Sequence, residues 1–190
     1  MVNFIPGKII HTFRSKRGDE IIIRYPKWED LDELLRHVNQ LSYEDTYVTL
    51  SGETITQIEE TNYLSTLYKE IEIGDNVTLL AFSNDRLIAS CGISRNRTDR
   101  RRGLHYGNFG LAVDNQFRGV GVGYEIAQKT IEEAKNKIQG LKIVRLGCFA
   151  KNTQAIGLYT KLGFKPAGIF PKAFLFKGGY EDEIKMVLEV

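Results

Sequence analysis

In the first half of the chain, segments whose hydrophobic residues are typical of β-strands alternate with segments whose hydrophobic residues recur at helical spacing. The run "DEIIIRY" (19–25) is rich in β-branched residues and predicts a strand. In residues 26–41, apolar side chains recur at helical spacing behind a proline and an acidic first turn, which predicts an amphipathic helix. Residues 54–71 predict a second helix, and two β-rich runs around "SND" within 76–94 predict a hairpin.

The second half of the chain continues the alternation of strand-like and helix-like segments. Its predicted elements are a strand at 104–113, a helix from the glycine-rich stretch to about Lys137, a strand at 141–150, a helix at 153–164 and closing strands at 168–176 and 182–190. This order predicts a mixed α/β single domain over residues 19–190. Residues 1–18 are expected to form an N-terminal extension with room for another short strand.

Composition and charge narrow the class of protein. The 190 residues are 42% hydrophobic and 26% charged, which suits one soluble globular domain with a core of its own. No apolar run approaches the ~20 residues of a membrane helix, and the N-terminus lacks the pattern of a secretory signal. Cys91 and Cys148 form neither a disulfide framework nor a metal-binding pattern, so no metal site is expected. We therefore expect a cytoplasmic protein, and the net charge of +2 is too small to indicate nucleic acid binding.

The stretch "RGVGVG" places three glycines, Gly119, Gly121 and Gly123, between an apolar run and a helical segment. A glycine inside a helix costs about 0.5–1 kcal/mol relative to alanine, so the cluster suggests that the backbone approaches a ligand closely. Amides at a helix N-terminus bind phosphate, and the guanidinium of Arg118 suits phosphate oxygens. The Lys-Ser/Thr end of a Walker A loop is absent, and Tyr124 stands where a dinucleotide fingerprint needs its third glycine. The stretch predicts a phosphate or pyrophosphate cradle; the alternative is a turn that only needs flexible glycines.

Two motifs carry a resemblance to a known family. "RGVGVG" after "LAVDNQF" resembles the acetyl-CoA-binding motif of the GNAT superfamily of N-acetyltransferases, Arg/Gln-x-x-Gly-x-Gly/Ala. The later segment "KNTQAIGLYTKLGFKPAG" resembles the second signature of the same superfamily, Asn-x-x-Ala-x-x-x-Tyr-x-x-x-Gly-Phe. Its matching residues are Asn152, Ala155, Tyr159, Gly163 and Phe164. As a structural alternative, Asn152 would only cap the helix and Gly163 would only end it.

The resemblance, which extends over roughly residues 20 to 190, implies a fold and a cofactor. The implied fold is α/β, of the GNAT acyl-CoA N-acyltransferase type, with a mixed, mostly antiparallel sheet, flanking helices and strands that splay at the cofactor site. The implied cofactor is acetyl-CoA, and the implied cofactor-binding residues are Leu111, Ala112 and Val113 for pantetheine, Arg118, Gly119, Val120, Gly121, Val122, Gly123 and Tyr124 for the pyrophosphate, and Asn152 and Tyr159 beside the thioester.

The implied activity is transfer of the acetyl group to a primary amine, which attacks the thioester directly. The enzyme assists by proximity, a backbone donor and proton transfers. Tyr159 is the candidate general acid, because it lies two helical turns beyond Asn152 on the same face, near the sulfur of a cofactor beside the helix. The alternative is a tyrosine that only packs against the cofactor. A small amine, a polyamine and a peptide or protein amine all remain as acceptors.

The motifs leave the general base open. The two positions at which relatives carry Glu or His are both glycine in this chain, Gly107 and Gly147. The side chains that could take this role instead, directly or through water, are those of His105, Glu44 and Asp45. Asp182 and Glu183 are interpreted as structural, and solvent is the remaining alternative.

The loop "RNRTDRRRG" (95–103) carries five arginines, at positions 95, 97, 100, 101 and 102. We interpret it as a solvated hairpin loop, because it lacks the interleaved aromatic residues that stack on nucleic acid bases. The alternatives are a patch for nucleic acid or an acidic partner, and a single arginine that reaches a cofactor phosphate.

Two other function classes remain as alternatives to an acetyltransferase. The first is a GNAT scaffold that binds CoA and acts as a non-catalytic sensor or interaction module. The glycines at both usual base positions support this alternative. The second is a nucleotide-binding oxidoreductase, which the imperfect dinucleotide fingerprint disfavours. A homodimer is compatible with the sequence, which does not determine the oligomeric state.

Overall fold

The chain alternates strands and helices from Ile9 to Glu189 in the computed structural model, which describes residues 4–190 apart from the side chain of Arg100. Its strands are β1 (Ile9–Arg14), β2 (Glu20–Arg24), β3 (Asn76–Ser83), β4 (Arg86–Arg95), β5 (Tyr106–Val113), β6 (Ile143–Phe149), β7 (Lys165–Phe176) and β8 (Gly179–Glu189). Its helices are α1 (Leu31–Tyr43), α2 (Gln57–Glu72), α3 (Val122–Lys137) and α4 (Thr153–Lys161). Among residues 4–190, no helix is both long enough and apolar enough to cross a membrane.

The strands form one sheet in the order β1-β2-β3-β4-β5-β6-β8-β7. Neighbouring strands are antiparallel except for β5 and β6, which run parallel. These two strands pair only at their first positions, from Tyr106 opposite Ile143 to Asn108 opposite Arg145. Beyond that point β5 stays paired with β4 and β6 stays paired with β8, so a gap opens between them. The predicted mixed, mostly antiparallel sheet with splayed strands is confirmed.

A side-chain bridge marks the closed end of this gap. Nε of Arg145 donates a hydrogen bond to Oδ1 of Asn108 at 2.8 Å, directly across the last parallel pair. The guanidinium of Arg145 also lies over the ring of Tyr106, 4.3 Å from its centroid. A cation over an aromatic face is attracted by the ring quadrupole, so both contacts hold β6 against β5 where the pairing ends.

The helices cover both faces of the sheet. Val113 of β5 lies beside Gly123 of α3, and Phe109 packs edge-on against Tyr159 of α4 with 5.7 Å between ring centroids. Strand residues alternate in direction, so the even-numbered residues of β5 face the side that α1 and α2 cover. The hydrophobic core fills the space between the sheet and the helices, and its fully buried side chains include Ile21, Ile23, Leu64, Leu79, Ile88, Ile93, Ile126 and Phe164.

The segment predicted as an N-terminal extension contributes an edge strand to the same sheet. β1 pairs with β2, and the turn between them reaches the glycine-rich stretch. In that turn, the amide of Lys16 donates to the carbonyl of Val120 at 3.0 Å, and Arg17 donates to the carbonyl of Gln116 at 2.7 Å. Residues 1–3 of the predicted extension lie outside the described residues.

Several element boundaries differ from those predicted. β5 begins at Tyr106 rather than at residue 104, because residues 100–103 form a short 3-10 helix. β7 and β8 are longer than predicted, since their pairing resumes after an irregularity between Phe170 and Phe174 and continues down to Phe176 opposite Gly179. A two-residue turn at Lys177 and Gly178, both with positive φ, then closes this hairpin, which is the turn geometry that tight hairpins favour.

The side chain of His37 on α1 is buried among charged neighbours. It is 3% exposed, and neither ring nitrogen has a hydrogen-bond partner among the described residues. Burial lowers the pKa of His37 to about 4, and the positive charge of Arg36 acts in the same direction. Arg86 also lowers it, whereas the carboxylates of Asp114 and Glu33 oppose the shift. The imidazole is therefore neutral in the folded protein at neutral pH.

We expect His37 to lower the stability of the fold in mildly acidic solution. Between about pH 6.5 and about pH 4 the unfolded chain binds a proton at this side chain and the folded chain does not. The free energy of unfolding therefore falls as the pH is lowered through this window, by on the order of a few kcal/mol. In His37→Leu this part of the decrease is absent.

Urea unfolding of both proteins at a series of pH values measures the difference. Glu33 and Asp114 have pKa values below their usual range, so their stabilising contributions are lost mainly at still lower pH, in both proteins alike. Parallel stability curves for the two proteins between pH 6.5 and pH 4 would contradict this expectation.

Candidate functional site

A cleft of about 1520 Å³ occupies the gap between β5 and β6 and the space beneath α1 and α2. The predicted site residues that line it are Leu111, Ala112, Val113, Arg118, Gly119, Gly121, Gly123, Tyr124, Asn152 and Tyr159. Val120 and Val122 belong to the same loop but do not line the cleft, and Val122 is fully buried at the start of α3. The structure thus gathers residues that are distant in sequence around one cavity.

The three glycines have two different roles in the loop. Gly119 has a φ of +75° and Gly121 a φ of +99°, a backbone conformation that residues with a side chain adopt only with strain. Gly121 is also the N-cap of α3. A Cβ on Gly123 would lie 3.4 Å from Leu158 and 3.5 Å from Val113, which is ordinary contact distance. The first two glycines therefore set the path of the loop into α3. The carbonyl of Gly121 accepts the amides of Tyr124 and Glu125, whereas no backbone partner among the described residues is present for the amides of Val122 and Gly123, so this lining fits an anionic group.

One edge of β5 is unpaired along the cleft. On one side, Leu111, Ala112 and Val113 pair with β4. On the other side, pairing with β6 ends at Asn108, and no other strand of the described residues replaces it. An unpaired strand edge offers backbone donors and acceptors to an extended ligand. The predicted contact with a pantetheine arm therefore has a free edge available.

Arg118 is engaged within the protein. Its Nε donates to the carbonyl of Val113 at 2.9 Å, and its Nη2 lies 2.6 Å from Oε2 of Glu44. The guanidinium thereby ties the loop before α3 to the end of α1. Glu44 and Asp45, two of the candidate bases, do not line the cleft, because Glu44 turns toward Arg118 and a shallow depression beside Tyr43.

Asn152 and Tyr159 lie at the start and near the end of α4, and both line the cleft. Oδ1 of Asn152 accepts the amide of Ala155 at 3.1 Å, so this residue caps the helix as well as reaching the cavity. Tyr159 is 8% exposed, and its hydroxyl has no hydrogen bond to another described residue. Burial raises the pKa of Tyr159 well above its usual range, and the nearby thiols of Cys148 and Cys91 add to the rise. The phenol therefore keeps its proton.

The candidate base positions lie in different places. A Cβ on Gly107 would meet the side chains of Ile93 and Leu141 at 2.8 and 3.3 Å, so this position faces the core and not the cleft. His105 precedes β5, is exposed and packs edge-on against Tyr106, outside the cleft. Gly147 lines the cleft.

The two acidic residues of β8 have different surroundings. Oδ1 of Asp182 accepts the amide of Lys172 at 2.8 Å, in the β7–β8 hairpin. Glu183 places its carboxylate against Gly147, on the strand beside it. Asp182 therefore contributes to the hairpin, whereas Glu183 does not itself line the cleft but lies against Gly147, which does.

Several lining residues were not predicted from the sequence. Lys16 lines the cleft next to the glycine-rich stretch, although it lies far from that stretch along the chain. Glu60 and Tyr63 of α2 also line it, one helical turn apart. Glu60 is 5% exposed, its carboxylate makes no hydrogen bond or ion pair with another described residue, and burial raises its pKa. The sequence signal for these residues is the presence of polar side chains on the face of α2 that packs against the protein, and it could have indicated that α2 lines the cleft.

The arginine-rich loop is partly bound to the rest of the protein. Nε of Arg95 donates to Asp75 at 2.8 Å, and Arg95 also binds the carbonyls of Leu104 and Gln139. Arg97 forms a second ion pair with Asp75. These contacts give two of the five arginines a structural role, in keeping with the interpretation as a hairpin loop.

Comparison with known proteins identifies relatives for part of the chain. The model of the Acetyltransferase (GNAT) family matches residues 28–164. The L-amino acid N-acetyltransferase AaaT of Escherichia coli is 32% identical over 87 residues, which are 46% of this chain and 53% of that protein. The ribosomal protein bS18-alanine N-acetyltransferase of Salmonella typhimurium is 34% identical over 82 residues, 43% of this chain and 54% of that protein. The chain spans about half the length of the curated relatives it matches.

Solved structures agree with the chain over most of its length. An acetyltransferase of the GNAT family from Streptococcus pneumoniae is similar at a TM-score of 0.81 and 25% identity, covering 90% of this chain and 99% of that one. The structure of yncA from Salmonella typhimurium with its cofactor acetyl-CoA is similar in fold, at a TM-score of 0.77 and 18% identity, covering 89% of this chain and 93% of that one. The family match extends over more than half of the sequence, and the chain belongs to the Acetyltransferase (GNAT) family.

Proposed function

We propose that this protein is an acetyl-CoA-dependent N-acetyltransferase that transfers the acetyl group to a primary amine. The observation that carries the proposal is the gap between β5 and β6, where an unpaired strand edge leads to the glycine-rich start of α3. An extended chain that ends in a pyrophosphate has the shape and the hydrogen-bonding groups that this arrangement complements.

Acetyl-CoA would supply the acetyl group as an activated thioester. The backbone of Leu111 to Val113 would bind the pantetheine arm, and the amides between Gly119 and Tyr124 would bind the pyrophosphate. Lys16 adds a positive charge beside that loop. The relative yncA, whose fold is similar, was solved with acetyl-CoA as its cofactor, which supports this assignment.

Tyr159 would act as the general acid. Its hydroxyl borders the cleft, has no other hydrogen-bond partner among the described residues and stays protonated because it is buried. It would donate that proton to the sulfur that leaves when the acceptor nitrogen binds the acetyl carbon. Asn152, which caps the same helix, would orient the cofactor arm beside it.

The acceptor is a primary amine in this proposal. The acidic lining formed by Glu60 and Glu70 on α2 suits a positively charged acceptor, because an ammonium group reduces the cost of a buried carboxylate. The named relatives act on an L-amino acid and on the alanine of a ribosomal protein, so amino acids and protein N-termini head the candidates. Direct attack by the amine needs no residue of this chain to form a covalent bond.

An acceptor panel tests this function. We expect the protein to release free CoA from acetyl-CoA with at least one member of a panel of amino acids, short peptides, polyamines and aminoglycosides. Binding of acetyl-CoA without CoA release across the whole panel would favour the alternative of a non-catalytic CoA-binding scaffold. A thermal-shift comparison of acetyl-CoA, NAD and ATP identifies the cofactor, since a ligand that binds only the native state raises its melting temperature.

We expect Tyr159→Phe to lower kcat by about 10²-fold or more, because it removes the proton donor and keeps the ring packing. The KM for acetyl-CoA should change little. Tyr180→Phe is the matched control, since it removes a tyrosine hydroxyl from an exposed residue that does not line the cleft. Steady-state kinetics with the best acceptor measure both parameters, and a Tyr159→Phe enzyme as fast as the Tyr180→Phe enzyme would contradict the role of acid.

We expect alanine to be tolerated at Gly123 and not at Gly121. At Gly121 the positive φ would cost an L-residue about 1–2 kcal/mol and distort the loop before α3, so cofactor affinity should fall. At Gly123 the new methyl group meets neighbours at contact distance, and a helix favours alanine by about 0.5–1 kcal/mol. Urea unfolding and calorimetric titration with CoA measure the two effects. Equal CoA affinity of both variants would show that the loop path does not control binding.

A further inference from the structure

We propose that the carboxylate of Glu183 is the general base of the acetyl transfer, an inference that rests on the proposed function. Glu183 of β8 lies opposite Phe149 of β6, and Lys185 lies opposite Gly147. Facing residues of paired strands point to the same side of a sheet, so Glu183 and Gly147 are diagonal neighbours on one side. Gly147 and Phe149 line the cleft just beyond the point where β6 parts from β5.

Gly147 leaves the space that this carboxylate occupies. A Cβ at position 147 would stand 2.7 Å from Cδ and 3.2 Å from Cγ of Glu183, so a larger residue there would require the carboxylate to move from its present position. The side chain of Glu183 is 13% exposed, and its Oε2 lies 2.6 Å from Nζ of Lys185. Oε1, which lies against Gly147, accepts no hydrogen bond from another described residue. One oxygen is thus held by the lysine, and the other keeps its lone pairs next to Gly147, which lines the cleft.

The acid and the base lie on opposite sides of the sheet at the same stretch of β6. Tyr159 lies on the side of α4, where its ring packs edge-on against Phe109 of β5 with 5.7 Å between ring centroids, near the thiol of Cys148 of β6. The next residue along β6, Gly147, faces the other side, where the carboxylate of Glu183 lies. An amine bound in the gap between β5 and β6 would therefore have a proton donor on one side and a proton acceptor on the other.

The proton balance of the reaction fits these positions. Glu183 takes a proton from the acceptor nitrogen, directly or through one water, as the nitrogen–carbon bond to the acetyl group forms. The carbon–sulfur bond breaks, and the sulfur takes the proton of Tyr159. Solvent then returns one proton to Tyr159 and removes one from Glu183, so the net products are the amide and free CoA.

The other carboxylates around the cleft are less suited to this role. Glu60 and Glu70 belong to α2, and Glu70 already accepts a hydrogen bond from Asn76 at 2.9 Å. Glu125 lies in the first turn of α3, with His11 3.9 Å away. None of the three adjoins the part of β6 that Tyr159 approaches.

The assignment of Glu183 as the base is tested by removing its carboxylate from β8 and introducing a carboxylate at position 147 of β6. We expect Glu183→Gln and Glu183→Ala to lower kcat by about 10²-fold while the affinity for acetyl-CoA is unchanged. In the double variant Glu183→Ala/Gly147→Glu, the space that the acid has left receives a carboxylate from β6, and at least a tenfold recovery over Glu183→Ala is expected. A residue that only stabilises the fold would not be replaced by a carboxylate from another strand.

Glu189→Gln is the matched control, because it removes a carboxylate of the same strand that lies opposite Ile143, far along β8 from Gly147. Melting temperatures confirm that each variant is folded before its kinetics are compared. Wild-type activity in Glu183→Gln, or a double variant no faster than Glu183→Ala, would overturn the base assignment and leave the acetyltransferase function standing. A wild-type protein that releases no CoA with any acceptor would overturn both.

Discussion

The site depends on the early end of parallel pairing between β5 and β6. The two strands are joined only from Tyr106 to Asn108, and the hydrogen bond from Arg145 to Asn108 holds them at the last pair. Beyond it, each strand keeps its ladder with its outer neighbour, so only the inner edges lose hydrogen bonds. The free edge of β5 lines the cleft, where its backbone groups are available to water or to a ligand. The gap therefore suits an extended polar ligand that can pair with a strand edge.

The elements around the gap supply what that ligand and its chemistry need. α3 begins at one end with an N-cap glycine and the amides of Val122 and Gly123, which have no backbone partner in the described part of the chain. α4 begins after the end of β6 with the capping residue Asn152. The packing of α4 against β5 places Tyr159 beneath the gap, where its ring contacts Phe109 and Phe164. Because this packing excludes water, it raises the pKa of the Tyr159 phenol, which therefore stays protonated. In the proposed reaction this proton goes to the leaving sulfur.

The sequence predicted the parts of the molecule that depend on local patterns. The helix periods, the glycines before α3 and the Asn-to-Tyr spacing on α4 follow from backbone geometry within a few residues, and each lies where it was predicted. The missed features depend on contacts across the sheet. Lys16 reaches the cleft only because β1 and β2 form an edge hairpin beside the loop. The pairing of Arg118 with Glu44 requires the end of α1 to meet that loop, which no local pattern encodes.

The two glycines at the expected base positions show how the direction in which a strand residue points determines whether it can take part in the reaction. Gly107 and Gly147 are equivalent in the sequence, since each stands at a position where the resemblance to the family leads us to expect a base. Strand direction separates them: Gly107 faces Ile93 in the core, whereas Gly147 faces the cleft and the carboxylate of Glu183. A side chain at position 147 and the carboxylate of Glu183 cannot occupy the same space. With glycine at position 147, the carboxylate of Glu183 on β8 takes the place next to β6 that a side chain of β6 would otherwise occupy.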